Sequence, residues 1–281
     1  MKVVRSPKQI QEIVRKIKKQ GRSIGFVPTM GALHPGHLSL IRGARKDNQA
    51  VFVSIFVNPI QFGPREDLSK YPRPIKKDIA LCNKEGVDFI FYPSFKSMYP
   101  DGFDTYVNVP GLTEGLCGKF RPGHFKGVTT VVNKLFNLIQ PDIAYFGQKD
   151  YQQALAVKKM AEDLSMPLAV KVAPTIREKD GLAMSSRNKY LNPSERKDAV
   201  LLYRGLKLAR NLINKGNHNC VSVINSVRKF LKQGRTISVQ YISIVDLKNI
   251  EPALILKGKV LIALAVYAGK TRLIDNIIVK I

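Results

Sequence analysis

The chain of 281 residues carries 46 Lys and Arg against 21 Asp and Glu, a formal charge of +25, with 44% hydrophobic and 24% charged residues. This composition excludes a disordered or collagen-like chain and leaves room for one large domain or two ordinary ones. Cys82, Cys117 and Cys220 are odd in number and far apart, so neither a disulfide framework nor a zinc site is expected.

The N-terminal segment has no signal-peptide apolar block, and Lys257 and Lys259 interrupt the best apolar run, 253–268, well short of the roughly 18–20 residues of a spanning helix. A soluble, cytoplasmic protein is the expectation. The charge admits nucleic acid, lipid or polyanionic small molecules as partners, but the lysines are spread along the whole chain, with no arginine-rich tract.

In chain order, Ser6 is placed to cap a helix, with Pro7 at its first position, Gln9 completing a capping-box-like pattern, Ile10, Ile13, Val14 and Ile17 as its apolar stripe, and Gly21 as its stop. "SIGFVPT" then reads as a buried strand, "PTMGALHPGH" as a glycine-rich turn and "HLSLIRGAR" as a helix. "AVFVSIFVN" (50–58) suits a central parallel strand. A helix at "IKKDIALCNKEG", a strand at "VDFIFYP", a helix at "GVTTVVNKLFNLIQ", a strand at "DIAYFG", a helix at "YQQALAVKKMAEDLS" and a strand at "LAVKVAPT" continue the alternation. Strands separated by helices predict an α/β fold, a Rossmann-like doubly wound parallel sheet over residues 1–176. Residues 177–281 read differently, as a helix over "NPSERKDAVLLYRGLKLARNLI", a second over "NCVSVINSVRKFLKQG", and three strands with a "GK" hairpin between the last two. They predict a smaller C-terminal α+β domain with an antiparallel sheet.

The residues with chemical potential fall at predicted strand ends, where such sheets bind ligands. His34 and His37 sit in a turn before a helix, where outward backbone N–H groups and the helix dipole favour an anion, and Gly31 and Gly36 allow close backbone approach. Imidazoles there can donate to phosphate oxygens as charge develops; the same pair is also compatible with two structural histidines or, less well, a metal site. Asn58 and Gln61 are neutral amides suited to a small substrate's hydroxyl and carboxylate groups, or simply part of an Asn-Pro turn. "GKFRPGHFKGV" suggests a loop over the site in which Arg121 and His124 could meet an anion, or a plain surface loop. In "YFGQKDYQQ", Lys149 can neutralise phosphates, Asp150 can orient it or a metal-bound water, and Gln153 lies one helical turn beyond Lys149. Ser185, Ser186 and Arg187 form a hydroxyl and guanidinium cluster, which is also what a solvated interdomain loop would look like.

His-x-Gly-His after a first strand resembles the signature of the nucleotidyltransferase superfamily, and the 184–187 segment resembles its Lys-Met-Ser-Lys-Ser loop. Taken together, "PTMGALHPGH", "VSIFVNPIQF", "RPGHFKGV", "FNLIQPD", "FGQKDYQQ" and "DGLAMSSRNKYL" resemble the pantoate–β-alanine ligase (pantothenate synthetase) family in order and spacing. Gln148 stands where many members carry Glu. The resemblance implies activation of (R)-pantoate by ATP to pantoyl adenylate with release of pyrophosphate, then attack by β-alanine to give pantothenate and AMP. It implies His37, His34 and Lys149 as catalytic residues, with His37 the proton donor. It implies an ATP site of Met30, Gly31, Ala32, Leu33, His34, Pro35, Gly36, His37, Gly147, Gln148, Lys149, Asp150, Ile176, Met184, Ser185, Ser186 and Arg187. Gln61 and Gln153, supported by Asn58 and Met30, would bind pantoate, with Gln61 near β-alanine. Mg²⁺ would bridge phosphate oxygens with no protein ligand specified, and a homodimer is implied. The alternatives are another adenylyltransferase of the superfamily and a basic nucleic-acid-binding protein.

Overall fold

A computed structural model describes residues 1–64, 66–253 and 256–281. Its larger sheet has six parallel strands, β1 (Lys2–Val4), β2 (Ile24–Thr29), β3 (Ala50–Ile55), β4 (Phe89–Phe91), β5 (Ile143–Gly147) and β6 (Ala169–Ala173), in the order β1-β4-β3-β2-β5-β6. All six residues of β3 are buried, as a strand covered on both faces requires. Helices α1 (Pro7–Lys19), α7 (His124–Ile139) and α8 (Tyr151–Asp163) cover one face, and α2 (Pro35–Asp47) and α3 (Ile75–Lys84) the other. The chain runs from β2 outward through β3 and β4, then returns to β5 on the other side of β2. The sheet order therefore reverses beside β2, and a crevice opens at the carboxyl ends of β2 and β5.

The predicted Rossmann-like sheet is present, with small differences. Ser6 caps α1 by accepting from the Gln9 N–H at 3.4 Å, but only this half of the expected capping box forms. The three-residue β1 is too short to alternate visibly, and the segment 95–120 holds three four-residue helices, α4 (Phe95–Met98), α5 (Pro110–Thr113) and α6 (Cys117–Phe120), that carry no periodicity.

The smaller sheet, β7 (Ile237–Asp246), β8 (Lys259–Ala268) and β9 (Thr271–Lys280), is antiparallel. The two-residue turn joins Ala268 to Thr271, with Gly269 at φ +57° as a primed hairpin turn needs. The helix expected over 192–213 divides at Val200 into α9 (Pro193–Ala199) and α10 (Leu201–Asn214), although Val200 itself keeps helical dihedrals. With α11 (Cys220–Leu231), these helices build a second core on β8. Two residues of the apolar run 253–268 lie outside the described ones; most of the remainder is β8. Among the described residues no helix is long and apolar enough to cross a membrane.

Candidate active site

The turn between β2 and α2 is held from behind. Gly31 has φ +82° and Ala32 φ +50°, the second costly for a residue with a Cβ. Asp78 of α3, buried, accepts both the Ala32 and the Leu33 N–H at 2.8 Å. Burial pushes the Asp78 carboxyl above its usual range even against these two bonds. Sequence reasoning passed over this residue, although an acid between Ile75, Ile79 and Cys82 on the apolar stripe of α3 was a usable signal.

The two histidines cap α2 reciprocally. The His34 ring accepts the Gly36 N–H at Nδ1 (3.2 Å), and the His37 ring accepts the His34 N–H at Nδ1 (3.4 Å). The rings lie 4.0 Å apart, tilted by 38°. With both Nδ1 atoms accepting, each neutral ring carries its proton on Nε2. Burial, with Lys149 nearby, lowers the His34 pKa to about 4; burial and the His34 and Lys149 charges hold His37 well below 6.5. Both rings are therefore neutral N–H donors at pH 7.

This corrects the expectation of outward backbone N–H groups. Those of Gly31, Ala32, Leu33, His34, Gly36 and His37 all bond within the protein, because half-buried amides do not wait unpaired. The turn presents imidazole N–H instead.

A cavity of about 200 Å³ is lined by Met30, His34, Gly36, His37 and Gln61, by Gly147, Lys149, Asp150, Gln153 and Ile176, and by Met184, Ser185, Ser186 and Arg187. Gly31, Ala32 and Leu33 are buried behind it, Pro35 is not part of its lining, and Gln148 turns away to Asn276. Lys149 lies 3.3 Å from Asp150. Of the two adjacent glutamines, Gln152 is spent on the Leu112 and Gly115 carbonyls, so Gln153 is the one on the cavity.

Asn58 is not available to a substrate. It is buried, donating to Gln61 Oε1 (3.2 Å) and the Gly127 carbonyl (3.1 Å) and accepting from Tyr99 (2.9 Å). It holds Gln61, whose Nε2 also meets Met30 Sδ at 3.2 Å. His124 Nδ1 donates to the Gln61 carbonyl at 2.8 Å, and its Nε2 accepts from Arg121, which forms a bidentate pair with Glu66. Arg121 and His124 thus brace Gln61 in this structure rather than stand free for an anion. Close by, Arg187 forms a bidentate pair with Asp67, and Ser186 meets the Tyr71 hydroxyl at 3.2 Å. A larger cleft of about 760 Å³ continues from Lys149 and Arg187 between the two sheets.

A cavity lined by two neutral imidazole donors, a lysine, an arginine and two glutamine amides suits transfer of a nucleotidyl group to a small acid. A family model described as pantoate-β-alanine ligase matches residues 2–278. The chain belongs to the pantoate–β-alanine ligase family. The family's activity, ligation of pantoate to β-alanine, is accordingly that of this chain. The pantothenate synthetase of Caldicellulosiruptor saccharolyticus is 52% identical over 281 residues, covering all of both chains. The crystal structure of pantothenate synthetase from Thermus thermophilus superposes with a TM-score of 0.94 at 42% identity, covering 99% of each chain. That of the Francisella tularensis pantoate-β-alanine ligase, complexed with βγ-ATP and β-alanine, superposes with a TM-score of 0.81 at 37% identity, covering 99% of this chain and 97% of its own.

Proposed function

We propose that the cavity at the ends of β2 and β5 carries out the ligation in two steps. In the first, a pantoate carboxylate oxygen attacks the α-phosphorus of ATP and pyrophosphate leaves. In the second, the β-alanine amine attacks the acyl carbon of the pantoyl adenylate, AMP leaves with the bonding electrons, and the new amide nitrogen gives up one proton to solvent. The nucleophile is the substrate's own, so the protein contributes position and charge stabilisation. His34 and His37 donate from Nε2 to phosphate oxygens as charge builds, and Lys149, Ser185, Ser186 and Arg187 hold the triphosphate. Gln61 and Gln153 orient pantoate, and the Ile176 segment lines the base end. The convergence of two Nε2–H donors, Lys149 and the two glutamines on one cavity carries this reading.

Mg²⁺ would be carried chiefly by phosphate and water. Among the described residues no three His, Cys, Asp or Glu side chains are grouped to hold a metal ion, and Asp150 is the acid lining the cavity. When bound, the ion would neutralise the departing pyrophosphate. Residues 177–281 would act as a lid over residues 1–176, supported by the cleft between the two sheets. The resemblance supports a cytoplasmic homodimer, which sedimentation of the purified protein would check.

Exchange of labelled pyrophosphate into ATP tests the reading. It is expected to require pantoate and not β-alanine. Exchange without pantoate, or none in folded, otherwise competent protein, would overturn it.

A further inference from the structure

The structure assigns to Asn276 the role of a positioning residue for Lys149, exerted across the boundary between the two sheets. Asn276 lies on β9 of the smaller sheet and is only 4% exposed. The two N–H bonds of its Nδ2 are divided between consecutive carbonyls of the nucleotide turn, Gln148 O and Lys149 O, each at 2.9 Å. Its Oδ1 accepts from Gln148 Nε2 at 3.3 Å.

The local conformation makes this possible. Residues Gln148–Asp150 form a turn of 3₁₀-helix, in which successive carbonyls point the same way. One amide group can therefore hold both and fix the peptide planes on either side of the Lys149 Cα. Those planes set where the long lysine side chain leaves the backbone. Among the described residues the ammonium group is paired only with the adjacent Asp150, whose side chain is 44% exposed, which restrains it weakly.

Asn276 is in turn fixed by its surroundings. Its N–H donates to Asp275 Oδ1 at 2.8 Å, and its carbonyl accepts from Arg177 Nη2 at 3.3 Å. Arg177 and the buried Asp275 form a bidentate pair at 2.6 and 2.9 Å. Arg177 follows Ile176, where the chain leaves the parallel sheet's region, so the smaller sheet, the connecting segment and the nucleotide turn form one hydrogen-bonded unit around the buried Asp275 and Asn276. Aspartate at 276 has no donor for the two carbonyls, and alanine has neither donor nor acceptor. The role of Lys149 at the phosphates is the proposed one, and the assignment of Asn276 rests on it.

A double-mutant cycle on pantoate-dependent pyrophosphate exchange tests the assignment, with Asn276→Ala, Lys149→Ala and the pair. Asn276→Ala is expected to slow exchange about tenfold and raise the KM for ATP, leaving the KM for pantoate within about twofold. The double variant is expected to be no more than about twofold slower than Lys149→Ala alone, since a misplaced lysine and a missing one are equivalent. Losses that multiply, or a fall in rate that only follows the fraction of folded protein in a thermal melt, would overturn the assignment. Lys149→Ala with undiminished exchange would instead remove the role of Lys149, and the assignment with it. Should Asn276→Ala fail to fold, Asn276→Ser, which keeps one donor, runs the same cycle with the same two outcomes.

Discussion

His34 and His37 spend their Nδ1 atoms on the cap of α2, and this decides how they can act. With pKa values of about 4 and well below 6.5, they are available to the proposed reaction as neutral hydrogen-bond donors. His37→Ala removes one Nε2–H from the phosphates and, at the same time, the acceptor of the His34 N–H. A loss of about a hundredfold or more in the rate of pyrophosphate exchange is expected, as for removal of one preorganised donor. Because a neutral ring is involved, the ratio of wild-type to variant rates should be the same at pH 6.5 and pH 8.5. Near-normal turnover, or a ratio that grows steeply toward acid, would remove His37 from this role. The histidines were legible in the sequence as chemistry, but not as caps. Their ring orientation depends on extended dihedrals at His34 and on Asp78, 44 residues downstream of it, fixing the turn.

Elements set the second half of the site. Helix α7 packs so closely against the turn after β3 that a Cβ on Gly127 would lie 2.5 Å from the Ile60 carbonyl oxygen and 2.7 Å from the Gln61 Cα. The Gly127 carbonyl also accepts from Asn58, which in turn holds Gln61 Oε1. Gly127→Ala must therefore displace either the helix or the glutamine. Its expected signature is a KM for pantoate raised about tenfold or more, with the KM for ATP changed much less. An equal rise in both constants would argue against Gln61 as the pantoate group. The element order was plain in the sequence because β2, β3 and β5 are apolar runs bounded by turn residues and helices. The contact between α7 and Gln61 was not, since a glycine in "HFKGV" looks the same whether it faces solvent or another backbone. The Asn276 amide escaped notice for a related reason: a polar residue in "IDNIIV" declares its partners only once β9 has been placed beside the 148–150 turn.

At the scale of the whole molecule, buried histidines tie stability to pH. His34 and His124 both have pKa values of about 4, each chiefly through burial, with Lys149 adding to the effect at His34 and Arg121 at His124. In the unfolded chain they would titrate near 6.5, so between pH 6.5 and 4 the unfolded state binds protons that the folded state refuses. Stability is therefore fully present above about pH 6.5 and is lost as the pH falls toward 4, by on the order of 3 kcal/mol for each of the two rings. The pairs Glu66–Arg121 and Asp67–Arg187, whose carboxyls lie below their usual range, begin to fail only at lower pH, so the first part of the loss belongs to the histidines. Because His34 and His124 brace the two halves of the cavity, a ligand that binds the folded state should oppose the loss. The urea midpoint is expected to drop steadily from pH 6.5 to 4.5 and to recover in part with saturating ATP and pantoate. The raised Asp78 and Asp275 carboxyls act in the opposite sense, because the folded state takes up those protons first. A midpoint that stays level over that range in both the wild type and Asp78→Asn would count against the neutral-donor description of the site.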